Sequence, residues 1–314
     1  MITIKRYSDE DRIRWDSFCK GSKSPLFIFE RNFVEYHKHR FMDHSLLFYQ
    51  DDDLVAILPA NENGKTLYSH AGLTYGGFIT DEKMKQHTMN ECFDALVEYV
   101  DKRQLNKIVY KAVPHIFHQQ PAEEDRYSLF LHNATIMKIE PATVVNLRNP
   151  LKMPKGRKAQ ISRARREGVV VRELYEERDY HSFIDLENEV LQKYHHAKAV
   201  HSGDEMYYLY SCFRNSIHLF GAFLDEKMIA GSIIYEYGHL IHTTYLAAND
   251  TAREIGALDL TILEMINRFK DSKMWFDFGI SSEDGGRKMN LGLISQKEGF
   301  GGRTNIYDTW IIDL

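Results

Sequence analysis

"SLLFYQDDDLVAILPAN" (45–61) and "IHLFGAFLDEKMIAGSIIY" (217–235) are the two stretches whose comparison decides the fold. Each holds two apolar runs rich in β-branched and aromatic residues, joined by an acidic turn, "DDD" (51–53) in one and "DEK" (225–227) in the other. That pattern reads as a pair of strands in a tight hairpin. Working outward, the same correspondence returns on both sides. Upstream, "ITIKRYS" (2–8) matches "VVVRELYE" (169–176), and "ERNFVEYHKHRF" (30–41) matches "GDEMYYLYSCFRN" (203–215). Downstream, "CFDALVEYVDKRQLNKIVYKAV" (92–113) matches "LDLTILEMINRFKDSKMWFDFGI" (258–280) as a helix running into a strand. Last, "AEEDRYSLFLHNATIMKIEP" (122–141) matches "RKMNLGLISQKEGFGGRTNIYDTW" (287–310). The offset stays at roughly 165–172 residues, as position 2 against 169, 45 against 217 and 107 against 273 show. A period that long is a duplicated domain rather than a solenoid repeat.

Each copy is expected to run strand, helix, helix, strand, hairpin partner, strand, helix, strand, helix, strand. The fold class is α/β with α+β character: two tandem domains, each a mixed twisted sheet flanked by helices. The expected boundaries are 1–150 and 151–314, with the join in "RNPLKMPKGRKAQ" (148–160), which holds Pro150, Pro154 and Gly156. Hydrophobic residues at 43% and charged residues at 27% allow real cores and exclude disorder. A formal charge of -5 gives no global attraction to nucleic acid or anionic lipid, so such binding needs a local patch. Three cysteines, Cys19, Cys92 and Cys212, form no CxxC pair and fit free thiols in a reducing compartment. "MITIKRYSDED" carries no apolar signal core, and no run of about 18 apolar residues occurs. The expectation is a soluble cytoplasmic protein without a membrane span, its oligomeric state open.

The order of elements resembles the GNAT acyltransferase fold, here twice, as in the FemA/FemB/FemX-like proteins. "FDFG" (276–279) and "GLISQKEGFGG" (292–302) look like that group's "FDxxG…GLxxFKxxFG", with Gln296 where the group has an aromatic. "GRKAQISRARREGVVV" (156–171) resembles its basic helix leading into the second domain. The resemblance implies transfer of an acyl group to an amine. Two donors go with it: acyl-CoA, and aminoacyl-tRNA acting on a peptidoglycan precursor. From a different class stands a non-catalytic module that binds nucleotide sugars or RNA. The acceptor is expected to be a small-molecule or nucleotide-linked amine, including a cell-envelope precursor, with tRNA a possible partner.

The candidate catalytic residues are Lys297, Asp277 and Tyr245. A lysine after a glycine-rich loop suits a tetrahedral oxyanion or a donor phosphate. Asp277 sits among aromatics in "WFDFGI", and a carboxylate there needs a partner, Arg287 or Lys297, or else acts as a base. In a GNAT fold a strand tyrosine such as Tyr245 can protonate a leaving thiolate. His242, three positions before Tyr245, shares a face with Thr244. Donor binding is placed at "REIGAL" (253–258), a partial match to [QR]xxGx[GA] with Leu258 at the last place. Arg253, Gly256 and Ala257 would meet the CoA pyrophosphate at a helix N-terminus. Acceptor binding is placed at His201 and Ser202, at Arg287 and Asn290 with Glu283 in the loop "SSEDGGRKMN", and at Tyr75 and His118 in the first copy, where Gly76 and Gly77 adjoin. His195, His196 and His201 lack the spacing of a metal site, so no metal is expected. The run 155–166 carries Lys155, Arg157, Lys158, Arg163, Arg165 and Arg166, which either face solvent or meet phosphates.

Overall fold

The computed structural model describes the backbone of all 314 residues and every side chain except that of His195. The chain divides into two compact units, one of residues 1–141, 282–288 and 305–314, the other of residues 142–281 and 289–304. The helices and long strands expected from the internal echo occur in the expected order, but the first copy adds the short strands Met42–Asp43, Asn61–Asn63 and Thr66–Tyr68, and the second adds helix Asp250–Ile255 and the short strands Ser282–Glu283 and Lys288–Met289.

In the first unit, Ile2–Arg6, Leu46–Gln50, Asp53–Leu58 and Ile79–Thr80 form one antiparallel sheet. The hairpin turn between the second and third of these strands places Asp51 at φ 56°, which an aspartate tolerates better than most residues. Strand Lys107–Lys111 pairs in parallel with Thr66–Tyr68 and antiparallel with residues 309–313 of the last strand. Helix Gln86–Lys102 buries Met89, Cys92, Phe93, Leu96 and Val100, the spacing of one helical face, into the core shared with Phe48, Ile108 and Ile312.

In the second unit the strand order is Val170–Leu174, Ile217–Leu224, Lys227–Glu236, Leu240–Ala248, Trp275–Ile280, and then residues 142–146 of the strand Thr135–Asn146. Every pairing is antiparallel except that of Leu240–Ala248 with Trp275–Ile280. Helices cover both faces, and strand Lys227–Glu236 shows why. Ala230 and Ile234 pack into the core that holds Leu260, Met265 and Phe269 of helix Ala257–Phe269. Gly231 between them meets the Phe183 ring of helix Glu177–His195, where a Cβ would stand 2.9 Å from it. Successive residues of a strand point to opposite faces, so this glycine lets the second helix layer approach.

The parallel pair comes apart early. Only Leu240–Trp275, Ile241–Phe276 and His242–Asp277 are in register. Beyond Asp277 the backbone turns: Gly279 takes φ 67°, and its N–H donates to Asp277 Oδ1 at 2.9 Å. The carbonyls of Gly279 and Ile280 accept from Lys297 Nζ at 3.0 and 2.6 Å. Side chains therefore satisfy backbone groups at the very point where the strands separate, which removes the penalty that buried unpaired amides and carbonyls would carry. On its other side, strand Leu240–Ala248 bulges: Ile234 pairs with Thr243 and Ile233 with Tyr245, leaving Thr244 over.

Candidate active site

A cleft of about 710 Å³ lies in the second unit at the carboxyl end of strand Leu240–Ala248, whose Leu246 and Ala248 form part of its floor. Its size is that of a small-molecule or cofactor site. Five helices supply the walls. Helix Glu177–His195 contributes Glu187, Val190, Leu191 and Tyr194, helix Lys155–Arg166 contributes Arg157 and Gln160, and helix Leu291–Glu298 contributes Gly292, Leu293 and Gln296. The fourth wall is the junction between helices Asp250–Ile255 and Ala257–Phe269.

That junction is built on Gly256. It adopts φ 81°, and a Cβ there would stand 2.7 Å from the Gln160 carbonyl oxygen. Only glycine serves both demands. The N–H groups of Ala257, Leu258 and Asp259 precede the first bond of the longer helix, which Leu260 N–H makes to the Gly256 carbonyl at 3.1 Å. The positive end of that helix thus opens on the cleft. Arg253 is fixed beside it: its Nε donates to the Ala248 carbonyl at 3.0 Å and its guanidinium lies 4.2 Å from the Tyr194 ring centre. Asp259 occupies the first turn and is ion-paired with Arg157. Arg157 also donates to the Gln296 carbonyl at 3.2 Å and lies over the Phe300 ring, so it ties three helices together.

Residues 155–284 match the family model of the acetyltransferase (GNAT) domain. No curated protein matches the chain in sequence. Among solved structures, the crystal structure of FemX is similar over 99% of this chain and 97% of that one, with a TM-score of 0.70 at 10% identity. The chain carries a GNAT domain in a FemX-like fold. The C-terminal domain of a putative lysylphosphatidylglycerol synthetase from Agrobacterium fabrum covers 97% of this chain and 92% of its own, with a TM-score of 0.63 at 10% identity. A tandem GNAT protein from the clavulanic acid biosynthesis pathway covers 100% and 98%, with a TM-score of 0.56 at 10% identity. The class of enzyme is an acyltransferase.

Of the residues singled out in the sequence, Arg253, Gly256 and Asn290 line the cleft of this GNAT domain, and Ala257 adjoins Gly256. Asn290 also caps its helix, its Oδ1 accepting from Leu293 N–H at 3.0 Å. Asp277, Lys297, Tyr245, His201 and Ser202 are not among the lining residues, though Tyr245 adjoins the lining Leu246. Asp277 is wholly buried, and its partners are His242 Nδ1 at 2.7 Å and the Gly279 N–H, not Arg287. Lys297 is 4% exposed, and burial lowers its ammonium to about 8 against the opposing pull of Asp277. Tyr245 and His201, chosen for separate reasons, meet: the phenol oxygen is 2.5 Å from His201 Nδ1. Ser202 is the N-cap of helix Gly203–Cys212 in a reciprocal capping box with Glu205.

Arg287 falls in the segment of the first unit, as do Tyr75 and His118. Tyr75 is core, against Phe117 and Tyr307 at 4.4 and 5.7 Å between ring centres. His118 Nδ1 contacts Ser24 Oγ at 2.5 Å, and burial lowers the imidazole to about 4. The metal question also turned on His195, whose side chain lies outside the described residues. Among those described, Glu177, His181 and Asp204 bring ligand atoms within 4.8 Å of one another, and none of the three lines the cleft. No described helix is long and apolar enough to cross a membrane. Half of the basic helix's six cations are ion-paired: beyond Arg157, Arg163 pairs with Glu254 at 3.1 Å and Arg165 with Glu264 at 2.9 Å. Sequence reading missed Glu187, although its spacing from Val190, Leu191 and Tyr194 is that of a single helical face.

Proposed function

We propose that the protein is an acyl-CoA-dependent N-acyltransferase that moves an acyl group to the amine of a small molecule or cell-envelope precursor. One observation carries the reading: the cleft at the carboxyl end of strand Leu240–Ala248 is closed at one end by a 13-residue helix whose N-terminus is bared by Gly256 and flanked by Arg253. That end suits the pyrophosphate of the donor. The thioester then lies along strand Leu240–Ala248, whose unpaired stretch offers backbone N–H groups to the oxyanion that forms when the amine attacks. Holding both reactants in one cleft supplies much of the rate. Tyr245, positioned by His201, is the group assigned to protonate the leaving thiolate. Asp277 and Lys297 are assigned to keep the strands apart.

An aminoacyl-tRNA donor is the second reading, favoured by the FemX-like fold. The carboxylates already paired with Arg163 and Arg165 weigh against it, because a phosphate track needs those charges unspent. Calorimetric titration with acetyl-CoA and with free CoA decides. Saturable binding near micromolar affinity, weakened by Arg253→Ala, is the expected result. Absence of heat up to millimolar ligand overturns the acyl-CoA reading and moves the donor to aminoacyl-tRNA.

A further inference from the structure

Helix Glu177–His195 presents Glu187, Val190, Leu191 and Tyr194 to the cleft. Three of these are what a cleft wall needs, and the fourth is a carboxylate. Glu187 is 7% exposed, and no hydrogen bond or ion pair to its side chain is found among the described residues. Burial alone pushes it up to about 7. No charge on helix Gly203–Cys212 or on strands Lys227–Glu236 and Leu240–Ala248 acts on it, Glu205, Glu236, His242 and Tyr245 included. Nor do the cleft's own charges: Asp259 is matched by Arg157, and Arg253 is held by the Ala248 carbonyl. An acid sunk in an apolar wall without a partner weakens the fold, and active sites are where such groups persist.

We propose that Glu187 binds the ammonium form of the acceptor at the cleft wall and takes its proton before attack. The inference rests on the acyl-transfer reading for its chemistry. Amines of this kind are protonated at neutral pH and have no lone pair to offer. Transfer of one proton to the Glu187 carboxylate frees the lone pair. The nitrogen then forms the C–N bond and the C–S bond breaks. The second N–H proton leaves with the thiolate as thiol, and the Glu187 proton returns to solvent. Val190, Leu191 and Leu246 beside the acid select an amine whose neighbouring carbons are apolar.

The test uses n-pentylamine as probe and n-pentanol as its neutral counterpart, against the wild-type protein and Glu187→Gln, by calorimetry at pH 7 in two buffers of different ionisation enthalpy. Wild type is expected to bind the amine and release about half a proton, because the carboxyl is near half-protonated there and the cation favours its charged form. Glu187→Gln is expected to bind it about tenfold more weakly, with no proton release, while pentanol binding is the same in both. Equal amine affinity in the two proteins, no proton release in the wild type, or no amine binding at all overturns the inference. Acetyl-CoA titrated into both proteins separates the two readings. If acetyl-CoA fails to bind while the amine signature stands, the donor assignment falls alone. If acetyl-CoA binds equally to both and the amine signature is missing, the Glu187 assignment falls alone.

Discussion

Replacing Glu187 by glutamine should make the protein more stable, by an amount that grows from pH 4.5 and is complete above neutral pH. The glutamine amide stands in for the protonated carboxyl, and no hydrogen bond is lost, because Glu187 has none to lose among the described residues. What the variant removes is the cost of ionising a buried acid. Its carboxyl moves from an ordinary 4.5 to about 7 on folding. In that interval the folded chain holds a proton that the unfolded chain has given up, so wild-type stability falls as pH rises from 4.5 to 7. At ~1.4 kcal/mol per pH unit the loss reaches about 3 kcal/mol and is complete above 7. Glutamine does not titrate and escapes it. Urea unfolding should therefore give matching midpoints for the two proteins near pH 4.5 and a variant more stable by about 3 kcal/mol near pH 8.5. The corresponding rise in Tm is about 6 °C. A variant that is less stable at pH 8.5, or a difference that does not change with pH, would show that Glu187 has a stabilising partner and would refute the argument from burial.

Three further outcomes follow from the same geometry. Gly256→Ala places a methyl group 2.7 Å from the Gln160 carbonyl in a left-handed residue, and should cost about 1–3 kcal/mol in urea unfolding while weakening acetyl-CoA binding. Lys297 has its ammonium lowered from 10.5 to about 8 by burial, so wild-type stability should rise between those pH values. Lys297→Met should lack the rise, read as the difference in urea midpoints at pH 7.5 and pH 10. Glu254→Gln with Glu264→Gln releases Arg163 and Arg165, and should cost under about 1 kcal/mol of stability because both pairs are exposed. The same pair of changes should create salt-sensitive binding to tRNA that the wild type lacks, measured by fluorescence anisotropy.

Element order was legible because the hairpins carry their own punctuation. Asp51 and Asp225, both at positive φ, mark the turns, and the apolar runs on either side alternate or fill with β-branched residues. Gly256 was legible only as part of a phosphate-binding spelling at a helix start; that it breaks two helices in a left-handed conformation came from the structure. What stayed hidden depends on register. That His242 lies opposite Asp277 follows from a parallel pairing that no local pattern dictates, so the buried aspartate was given to more distant cations instead. Lys297 was legible as important, but not as a donor to the Gly279 and Ile280 carbonyls, because backbone groups leave no mark on the sequence. Ser202 carries a second, structural signal. "SGDE" is a capping-box spelling, and the helix start it marks is its first reading. Glu187 went unseen because an acid in an amphipathic helix is usually solvated, and only packing tells which face is turned inward.

The closing strands give the chain an order of assembly. Lys107–Lys111 of the first unit has as its antiparallel neighbour residues 309–313, which lie about 200 residues further along the chain. Trp275–Ile280 of the second unit pairs instead with residues 142–146, made long before it. During synthesis residues 107–111 therefore wait, with an open sheet edge, until residues 309–313 have been made. A fragment that stops near residue 150 should keep that edge bare and self-associate, and a fragment that begins there should lack the strand its own sheet requires. The echo between the two halves is legible in the sequence, yet each unit draws a strand from the other half of the chain.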